Sequence, residues 1–543
     1  MNRFWSTKTI IERCEFVAAI LLTLLLLGVH IIFYIHAGPL WRDEVSSLTL
    51  ATKPTLSQFW KSLPLDPFPA SYFLLLRGWS AIGFANHDVT LRGLGLLIGL
   101  SILAALWLTC YLIDKSPPLW PLALFAFNPL VLEGGDSLRP YGFGLIWIVL
   151  AFGFIWRIAA GEMWKRILIF AFIAALLSVQ SLFTNALMLF AVGVSAAVVL
   201  IKANRWRDIW VIISIGAVAA SSLLVYLPII QSTRDWAKII GNKNDIVGVL
   251  AVARDAILDA GTVGMWAWLA LGAGLLLLLL LAFCRRLAVI ADLKSDRATF
   301  GGATVLVCIV ATVTFLCAAH YLVFPRYFLP VMAIIALSIH IFWSALPNRF
   351  LIRTIGLCLA LLVCAASLKS LCQRANTRMT NCDQIAEIVE QRAVPDDLII
   401  VTSFFYGISF QRYYHGDAPW LAVPQVSDFT LHRWDLLREA MAQPDPVPEL
   451  VLRAEAVLRA GHKVFLVGKL GPSPPERPES FPPAPQTDFG WQMESYLAQW
   501  KSELTYWIEH HAVNGRDLSI QDAQPVNPLE GLGLFEVCGW RGD

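Results

Sequence analysis

Long apolar runs recur along the first two thirds of the chain, separated by short polar segments. Eleven of them are predicted to be membrane-spanning helices, since about twenty apolar residues without charge cross a bilayer. They cover residues 16–36, 90–113, 118–134, 141–159, 167–184, 186–201, 208–230, 262–283, 302–323, 327–346 and 351–370. A further apolar stretch, 71–84, is short and contains Arg77, so we predict a helix lying at the membrane interface. The pattern thus predicts a polytopic α-helical membrane protein.

The pattern changes after residue 371, where apolar residues come in short runs between charges and prolines. These runs predict two buried strands and two amphipathic helices, over 398–402, 464–467, 382–391 and 448–460. We therefore predict a transmembrane module over 1–371, with a first outer loop over 38–89 that carries interfacial helices. A soluble α/β domain is predicted over 372–543.

Composition and charge agree with this division. The chain is 57% hydrophobic and 15% charged, whereas soluble domains are roughly 25% charged. The net charge of +2 gives no sign of nucleic-acid binding. With the N-terminus in the cytoplasm, the positive-inside rule is obeyed by the basic residues of nearly every short loop on that side. These are Arg3, Lys8, Arg13, Lys115, Lys165, Arg166, Lys202, Arg205, Arg207, Arg285, Arg286, Lys294, Arg297, Arg349 and Arg353.

Eleven spans then place the C-terminal domain on the outer face. Compact loops favour a bacterial inner membrane with this domain in the periplasm.

The first outer loop carries an adjacent acid pair, Asp43 and Glu44, just outside the bilayer. Buried carboxylates there need a metal, a cation or a proton. The alternative is structural, because acidic residues also favour the first turn of a helix. Asp66 follows in a Pro-rich segment, where it either caps the interfacial helix or faces Asp43 across a site.

Two later outer-face segments combine charges with tyrosines. The second outer loop holds Asp136, Arg139 and Tyr141, and Arg326 and Tyr327 follow a proline between two apolar runs. The arginines are candidates for gripping a lipid phosphate. Anchoring to headgroups is the open alternative for both.

Common catalytic signatures are absent from the sequence. It contains no Gly-x-x-x-x-Gly-Lys-Ser/Thr loop and no Gly-x-Gly-x-x-Gly after a strand, which disfavours an ATP-driven pump and a nucleotide-sugar enzyme of the Rossmann type. Gly-x-Ser-x-Gly and His-Glu-x-x-His are missing too, which disfavours the common hydrolases.

The motifs, in their order, spacing and sidedness, resemble the GT-C membrane glycosyltransferases. They are the Asp-Glu pair, the Asp-Pro-rich helix start, Asn-Pro…Asp-x-x-Arg-x-Tyr and the late Phe-Pro-Arg-Tyr. The resemblance is to the group of protein O-mannosyltransferases and aminoarabinose transferases (glycosyltransferase 39-like), and it covers about residues 10–420. Where members often carry Asp-x-His-Pro-Pro, this chain reads Asp66-Pro67-Phe68-Pro69-Ala70. Any contact of that histidine is therefore in doubt.

The resemblance implies transfer of a sugar from a polyprenyl-phosphate carrier to a glycan, lipid or protein acceptor on the outer face, with inversion. By similarity Asp43 is the catalytic aspartate, with Glu44 beside it. Asp66, Asp136, Arg139, Tyr141, Arg326 and Tyr327 are then predicted to bind substrate. A divalent metal held by Asp43 and Asp136 stays an open alternative.

Two other classes of function also stay open. A polytopic transporter or lipid flippase would have as many spans, although no internal repeat is found. A membrane scaffold of envelope glycan assembly would not require the acid pair beside outer-face arginines.

Overall fold

The chain is mostly helical in the computed structural model, which describes residues 10–84, 87–232, 244–283, 295–319, 322–346, 350–471, 473–484, 491–520 and 524–541. Eight helices in this described part are long and apolar enough to cross a membrane. They are Ile10–His36, Asp88–Asp114, Pro140–Ala159, Asn185–Lys202, Trp206–Ser232, Asp296–Ala319, Pro325–Trp343 and Phe350–Ala375. The predicted fold class, an integral membrane protein of helices with a C-terminal α/β part, is confirmed.

The three remaining predicted spans also contain helices. The span over 167–184 becomes the 15-residue helix Lys165–Val179, and that over 262–283 forms the 22-residue helix Thr262–Phe283, with the predicted bounds. The span over 118–134 is interrupted. A short turn, Leu119–Pro121, leads into a π-helical turn, Leu122–Ala126, and a separate helix follows over Pro129–Asp136.

The interruption follows from Asn128-Pro129. Proline lacks the N–H that would continue a helix, and the Asn128 side chain accepts a hydrogen bond from Leu130 N at 2.9 Å, which starts a new helix. The Asn128 amide also donates to Ala256 O at 3.0 Å. The broken segment is buried inside the protein, so its apolar composition reflects packing against other helices.

The first outer loop folds into short helices at one end of the membrane helices. They are Arg42–Ala51, Leu56–Ser62, Leu63–Leu65, Ala70–Trp79 and Ser80–Phe84. The stretch predicted to lie at the interface thus forms the ten-residue helix Ala70–Trp79, which is too short to span a bilayer. The Arg77 side chain on this helix donates hydrogen bonds to the carbonyl oxygens of Ala51 and Lys53, at 2.9 and 2.7 Å.

The remaining elements of the membrane region are a 3-10 turn at Leu224–Tyr226, helix Ile246–Leu258 and a 3-10 turn at Pro325–Phe328 that leads into helix Leu329–Trp343. Several sequence-based predictions fall outside the described residues. They are the basic positions Arg3, Lys8, Arg285, Arg286, Lys294 and Arg349 and the last part of the span over 302–323.

The C-terminal region contains a five-stranded mixed sheet in the order β2-β1-β3-β5-β4. The strands are Leu398–Val401 (β1), Trp420–Ala422 (β2), Lys463–Val467 (β3), Ala512–Asp517 (β4) and Leu534–Trp540 (β5). β1 pairs in parallel with β2 and β3, and β5 runs antiparallel to β3 and β4. Its helices are Cys382–Arg392, Phe404–Tyr413, Trp434–Met441, Val447–Arg459 and Met493–His511.

All four side chains of β1 are buried, as expected for a strand covered on both faces. The predicted strands correspond to β1 and β3, and the predicted helices to Cys382–Arg392 and Val447–Arg459. The C-terminal region packs against the end of the membrane helices at which the first outer loop lies. Its Ile408 and Leu431 share one apolar cluster with Val45 and Leu48 of that loop.

Candidate functional site

The predicted acid pair lies in the first turn of helix Arg42–Ala51, where the helix dipole favours negative charge. Glu44 is fully buried and forms an ion pair with Arg92 Nη1 at 2.5 Å. The same Oε1 atom accepts a hydrogen bond from Leu138 N at 2.9 Å. Glu44 therefore holds three separate segments together, next to the charged residues around Asp43.

Asp43 is turned to a different set of partners. Its Oδ2 lies 3.4 Å from Arg326 Nη2, and its Oδ1 lies 3.3 Å from His432 Nε2. Arg42 Nε is 3.8 Å from the same Oδ1. Asp43 is 8% exposed, so these cations surround a largely desolvated carboxylate.

This surrounding controls the ionisation of Asp43. Burial alone would raise the pKa of the carboxyl. The hydrogen bond from His432 and the positive charges of Arg326 and Arg139 outweigh burial and hold the pKa far below its usual range. Asp43 is consequently ionised at every pH at which a membrane enzyme works.

Arg139 and Asp66 lie next to Asp43. We call the group formed by Asp43, Asp66, Arg42, Arg139, Arg326 and His432 the Asp43 cluster. Arg139 Nη1 lies 2.6 Å from Asp66 Oδ2, 2.7 Å from Ser47 Oγ and 3.1 Å from the backbone oxygen of Asp43. Ser47 Oγ also donates to Asp66 Oδ2 at 3.1 Å. Although burial opposes its charge, the carboxylates of Asp66 and Asp43 raise the pKa of Arg139. Arg139 is thus a fixed cation that links Asp66 to Asp43.

Phe68 occupies the position at which the resembling family often has histidine. Its ring lies under the Arg139 guanidinium, 4.9 Å from ring centroid to Cζ, and meets the Tyr141 ring edge-on at 5.5 Å. Phe68 therefore forms a cation–π contact with Arg139 at a position where the family often has a polar side chain.

Arg326 sits in the 3-10 turn Pro325–Phe328 and completes the cluster. Its guanidinium lies 4.6 Å from the centroid of the Phe324 ring and within hydrogen-bonding reach of the Tyr141 hydroxyl. The rings of Tyr141 and Tyr327 are stacked with centroids 6.4 Å apart. The structure thus brings six of the predicted substrate-binding or catalytic residues to one place, namely Asp43, Asp66, Arg139, Tyr141, Arg326 and Tyr327.

Two of the arginines around Asp43 retain an unmatched donor. The Nε atoms of Arg139 and Arg326 are buried and have no hydrogen-bond partner among the described residues. Buried N–H groups are costly to leave unpaired, and most are satisfied in native proteins. Two such donors on neighbouring cations indicate a place for an anion.

Asp136 lies apart from this cluster. Its carboxylate receives His30 Nδ1, at 2.9 Å from Oδ1 and 2.8 Å from Oδ2. Gly99 makes room for the pair, since a Cβ at this position would overlap Asp136 Oδ1. Asp136 and Asp43 share no partner in the described contacts, so a metal held between them has no support in this geometry.

The donors around Asp43 do not fit a divalent cation. Its nearest charged neighbours are Arg42, Arg326 and His432, and a metal would have to enter among positive groups. In the described part of the chain, no group of three or more His, Cys, Asp and Glu side chains is arranged to hold a metal ion.

The C-terminal region supplies residues that motif reasoning missed. His432 reaches Asp43 from the loop before helix Trp434–Met441, and the buried Glu530 accepts a hydrogen bond from Arg42 N at 3.0 Å. Both lie far along the chain from Asp43 and outside any motif, so only their tertiary contacts identify them.

Comparison with known proteins gives structural similarities only. No family model and no curated protein sequence matches the chain. The fold is similar to ArnT from Cupriavidus metallidurans bound to undecaprenyl phosphate, at 11% identity and a TM-score of 0.49, over 82% of this chain and 92% of that one. It is also similar to the Archaeoglobus fulgidus oligosaccharyltransferase tethered with an acceptor peptide, at 11% identity and a TM-score of 0.45, over 93% and 73%. A structure of the latter protein with Zn and sulfate gives 12% identity, a TM-score of 0.42 and coverage of 93% and 72%.

ArnT and the oligosaccharyltransferase are both GT-C glycosyltransferases, so the predicted resemblance is confirmed as a similarity. The similarity is remote, with TM-scores below 0.5. What the cluster does in this chain has to follow from its own residues.

Proposed function

We propose that this protein is a glycosyltransferase that moves a sugar from a polyprenyl-phosphate carrier to an acceptor at the outer face of the membrane. One observation carries the proposal. Arg139 and Arg326 flank the ionised Asp43, and each keeps a buried Nε–H without a partner. A carboxylate between two under-satisfied guanidinium groups suits a reaction in which a phosphate leaves.

The arginines support phosphate binding. Arg42, Arg139 and Arg326 face three carboxylates, Asp43, Asp66 and Glu530. The Nε atoms of Arg139 and Arg326 nevertheless stay unmatched among the described residues, and guanidinium groups bind phosphate oxygens with directed hydrogen bonds. Fixed cations in a partly dry site also stabilise the charge that develops on a leaving phosphate.

In this proposal Asp43 receives the proton of the acceptor. The acceptor oxygen attacks the anomeric carbon, and the bond from that carbon to the phosphate oxygen breaks. The carrier phosphate departs with the bonding electrons, and the acceptor proton passes to Asp43 Oδ. The attacking hydroxyl becomes strongly acidic as the new bond forms, so a carboxylate with a lowered pKa still suffices as the base.

The arrangement favours inversion at the anomeric carbon. Retaining transfer through a covalent intermediate needs a second free carboxylate as the nucleophile. Asp66 is held by Arg139 and Ser47, and Glu44 is held by Arg92 and the Leu138 amide. Asp43 alone remains free of a short ion pair, which fits a single displacement.

The membrane helices account for the carrier. A polyprenyl chain gains about 0.8 kcal/mol for each buried methylene group, so its tail can supply much of the binding energy from within the bilayer. The cluster lies at the ends of spans Asp88–Asp114, Pro140–Ala159 and Pro325–Trp343, where a phosphate attached to such a tail would be found. By the same reasoning we propose that the protein lies in the inner membrane of the cell envelope, with its C-terminal region on the outer side.

The test is transfer of radiolabelled sugar from a panel of polyprenyl-phosphate donors by the purified protein, with Asp43→Asn in parallel. Asp114→Asn is the matched control, because Asp114 is also an aspartate whose side chain is only 8% exposed and lies near a histidine, 3.6 Å from His340 Nε2 at the opposite end of the helices. We expect transfer by the wild type and by Asp114→Asn, and its loss in Asp43→Asn with folding retained.

Two outcomes would refute the assignment. Full transfer by Asp43→Asn would remove Asp43 from the reaction. Failure of the folded wild type to consume any donor, together with movement of the labelled lipid between leaflets in vesicles, would favour a flippase.

A further inference from the structure

The C-terminal region docks on the membrane region through specific polar contacts. Arg412 Nη2 lies 2.5 Å from Asp88 Oδ1, and the Tyr413 hydroxyl lies 2.7 Å from Asp88 Oδ2 and 3.0 Å from Leu40 O. Both partners belong to helix Phe404–Tyr413, which packs against helix Arg42–Ala51. The docking therefore fixes the C-terminal region directly over the start of the helix that carries Asp43.

His432 enters the cluster from this docked region. The loop that carries it is braced by Arg433, whose Nη1 lies 2.5 Å from Asp428 Oδ2 and whose Nη2 lies 2.6 Å from Asp435 Oδ2. The His432 ring stacks on Trp434 with centroids 5.7 Å apart and is 8% exposed. Its direction is thus set by packing, and its Nε2 lies 3.3 Å from Asp43 Oδ1.

The two ring nitrogens of His432 have different surroundings. Nδ1 is buried and has no hydrogen-bond partner, whereas Nε2 faces a carboxylate. A proton on Nδ1 would leave a buried N–H unpaired, and an unprotonated ring nitrogen facing Asp43 would repel its charge. The ring therefore carries a proton on Nε2 and donates a hydrogen bond to Asp43 Oδ1.

We infer that His432 is a positioning residue that holds Asp43 in its reactive orientation, so that the C-terminal region completes the site. The inference rests on the proposed glycosyl transfer. His432 donates to Oδ1 while Arg326 lies 3.4 Å from Oδ2, so the carboxylate is fixed from both sides. Without the His432 donor, Asp43 is free to turn both oxygens toward arginine and would meet the acceptor in the wrong orientation.

The other charged and titratable groups near Asp43 come from several elements. Arg42 precedes it on the same helix, Arg139 precedes span Pro140–Ala159, Arg326 lies in its 3-10 turn, and Tyr141 faces Arg326. Glu530, whose pKa burial raises to about 7, accepts a hydrogen bond from Arg42 N at 3.0 Å. Rates are therefore compared at one fixed pH, where the protonation of Glu530 is the same in all variants.

The test compares two substitutions that place an amide nitrogen differently. In His432→Gln the side-chain nitrogen falls near the position of Nε2, whereas in His432→Asn it falls near that of Nδ1. We expect His432→Gln to keep transfer within about threefold of the wild type. His432→Asn should lower kcat at least tenfold with a nearly unchanged KM for the donor, because Asp43 loses the hydrogen bond that fixes its orientation.

A purely structural role for His432 would give a different result. His432→Gln and His432→Asn would then lower transfer to the same extent, in proportion to their loss of thermal stability. That result, or wild-type transfer by His432→Asn, would overturn the inference.

A second measurement separates this inference from the proposed function. Melting temperatures are taken for Asp43→Asn, His432→Leu and the double variant, without any assay of transfer. If the two side chains interact as the geometry shows, the shifts of the single variants will not add up to that of the double variant. Additive shifts would overturn the contact. Non-additive shifts in a protein that transfers no sugar would refute the function alone.

Discussion

Two clusters of buried charge lie at opposite ends of the same helices and differ in how their hydrogen bonds are matched. At the end away from the C-terminal region, Arg353 Nη1 lies 3.2 Å from Glu15 Oε2, and His340 Nε2 lies 3.6 Å from Asp114 Oδ1. Ser116 donates to Asp114 from both its backbone N and its Oγ, at 3.0 and 2.5 Å. Each charge there has its own partner.

The Asp43 cluster is built differently, although it is buried to a similar degree. Three arginines and a histidine surround Asp43 and Asp66, and three of these basic side chains keep a buried nitrogen without a partner, namely Arg139, Arg326 and His432. The other cluster leaves no such buried atom on Glu15, Asp114, His340 or Arg353. Burial of charge is therefore common to both clusters. The candidate site differs because two guanidinium groups with an unmatched Nε–H, those of Arg139 and Arg326, lie beside one carboxylate.

The largest effect is expected from removing one arginine at each end. Arg326→Gln should lower the rate of transfer roughly 100- to 1,000-fold, which is the usual effect of losing a charge-stabilising donor in an active site. Arg353→Gln should leave the rate per folded molecule unchanged and lower the free energy of unfolding by roughly 3 kcal/mol, because the buried Glu15 loses its partner. Steady-state transfer and chemical denaturation measure the two effects.

The comparison would fail if the two variants behaved alike. Equal losses of transfer, each explained by the unfolded fraction, would mean that Arg326 is a structural cation like Arg353. The arginines around Asp43 would then contribute to folding and not to transfer.

A smaller effect is expected from Asp66→Asn. The variant removes the charged partner of Arg139 but leaves its contacts with Ser47 Oγ and the Asp43 carbonyl, at 2.7 and 3.1 Å. A lost charge-assisted hydrogen bond costs about 1.5–3 kcal/mol, so we expect kcat/KM for the donor to fall about tenfold. If Asp66→Asn has the kinetics of the wild type, as is expected of the control Asp114→Asn, then Ser47 and the backbone suffice to position Arg139.

Glu530 is a buried carboxylate next to the Asp43 cluster, and its ionisation should make the free energy of unfolding depend on pH. Burial raises its pKa to about 7, against the opposing charge of Arg42. Between its ordinary value and pH 7 the folded protein therefore binds more protons than the unfolded chain, so the free energy of unfolding falls as pH rises through this window. The limit is about 1.4 kcal/mol for each unit of pKa difference.

Glu530→Gln should abolish this particular dependence. The melting temperature of the wild type should fall relative to that of the variant as pH rises from about 5 to 8. Parallel pH profiles of the two proteins would show that Glu530 is ionised throughout, held by Arg42 like an ordinary ion pair.

Much of the fold was predictable, because hydrophobic runs are dictated by the bilayer. The run over 90–113 became span Asp88–Asp114 and that over 351–370 became span Phe350–Ala375. The run over 118–134 could not be told from a span by composition, since a segment packed against other helices is as apolar as one in lipid. Only Asn128-Pro129 marked the break, through the missing N–H and the side-chain cap.

The candidate site was predictable in part for a similar reason. Asp43, Asp66, Arg139 and Arg326 stand out as charges beside apolar runs, and the structure brings them together. Asp136 stands out equally, but it ends helix Pro129–Asp136, and its side chain turns to His30, while Arg139 follows two residues of loop and turns to Asp66. His432 carries no local signal, because its proximity to Asp43 arises from docking of a region distant in sequence.

The smallest effect is expected from Tyr413→Phe, which tests whether docking as a whole or His432 in particular sets the site. The variant deletes one hydroxyl, which contacts Asp88 Oδ2 at 2.7 Å and Leu40 O at 3.0 Å, and keeps the ion pair of Arg412 with Asp88. A hydrogen bond of this kind contributes about 1 kcal/mol to stability, so we expect a melting temperature lower by a few degrees. Transfer should stay within about twofold, since the described contacts of Tyr413 are with Asp88 and Leu40 and none is with Asp43. If Tyr413→Phe instead reproduced the loss of kcat expected of His432→Asn, general loosening of the C-terminal region would account for both variants, and the distinction between a docking contact and a contact that orients Asp43 would not hold.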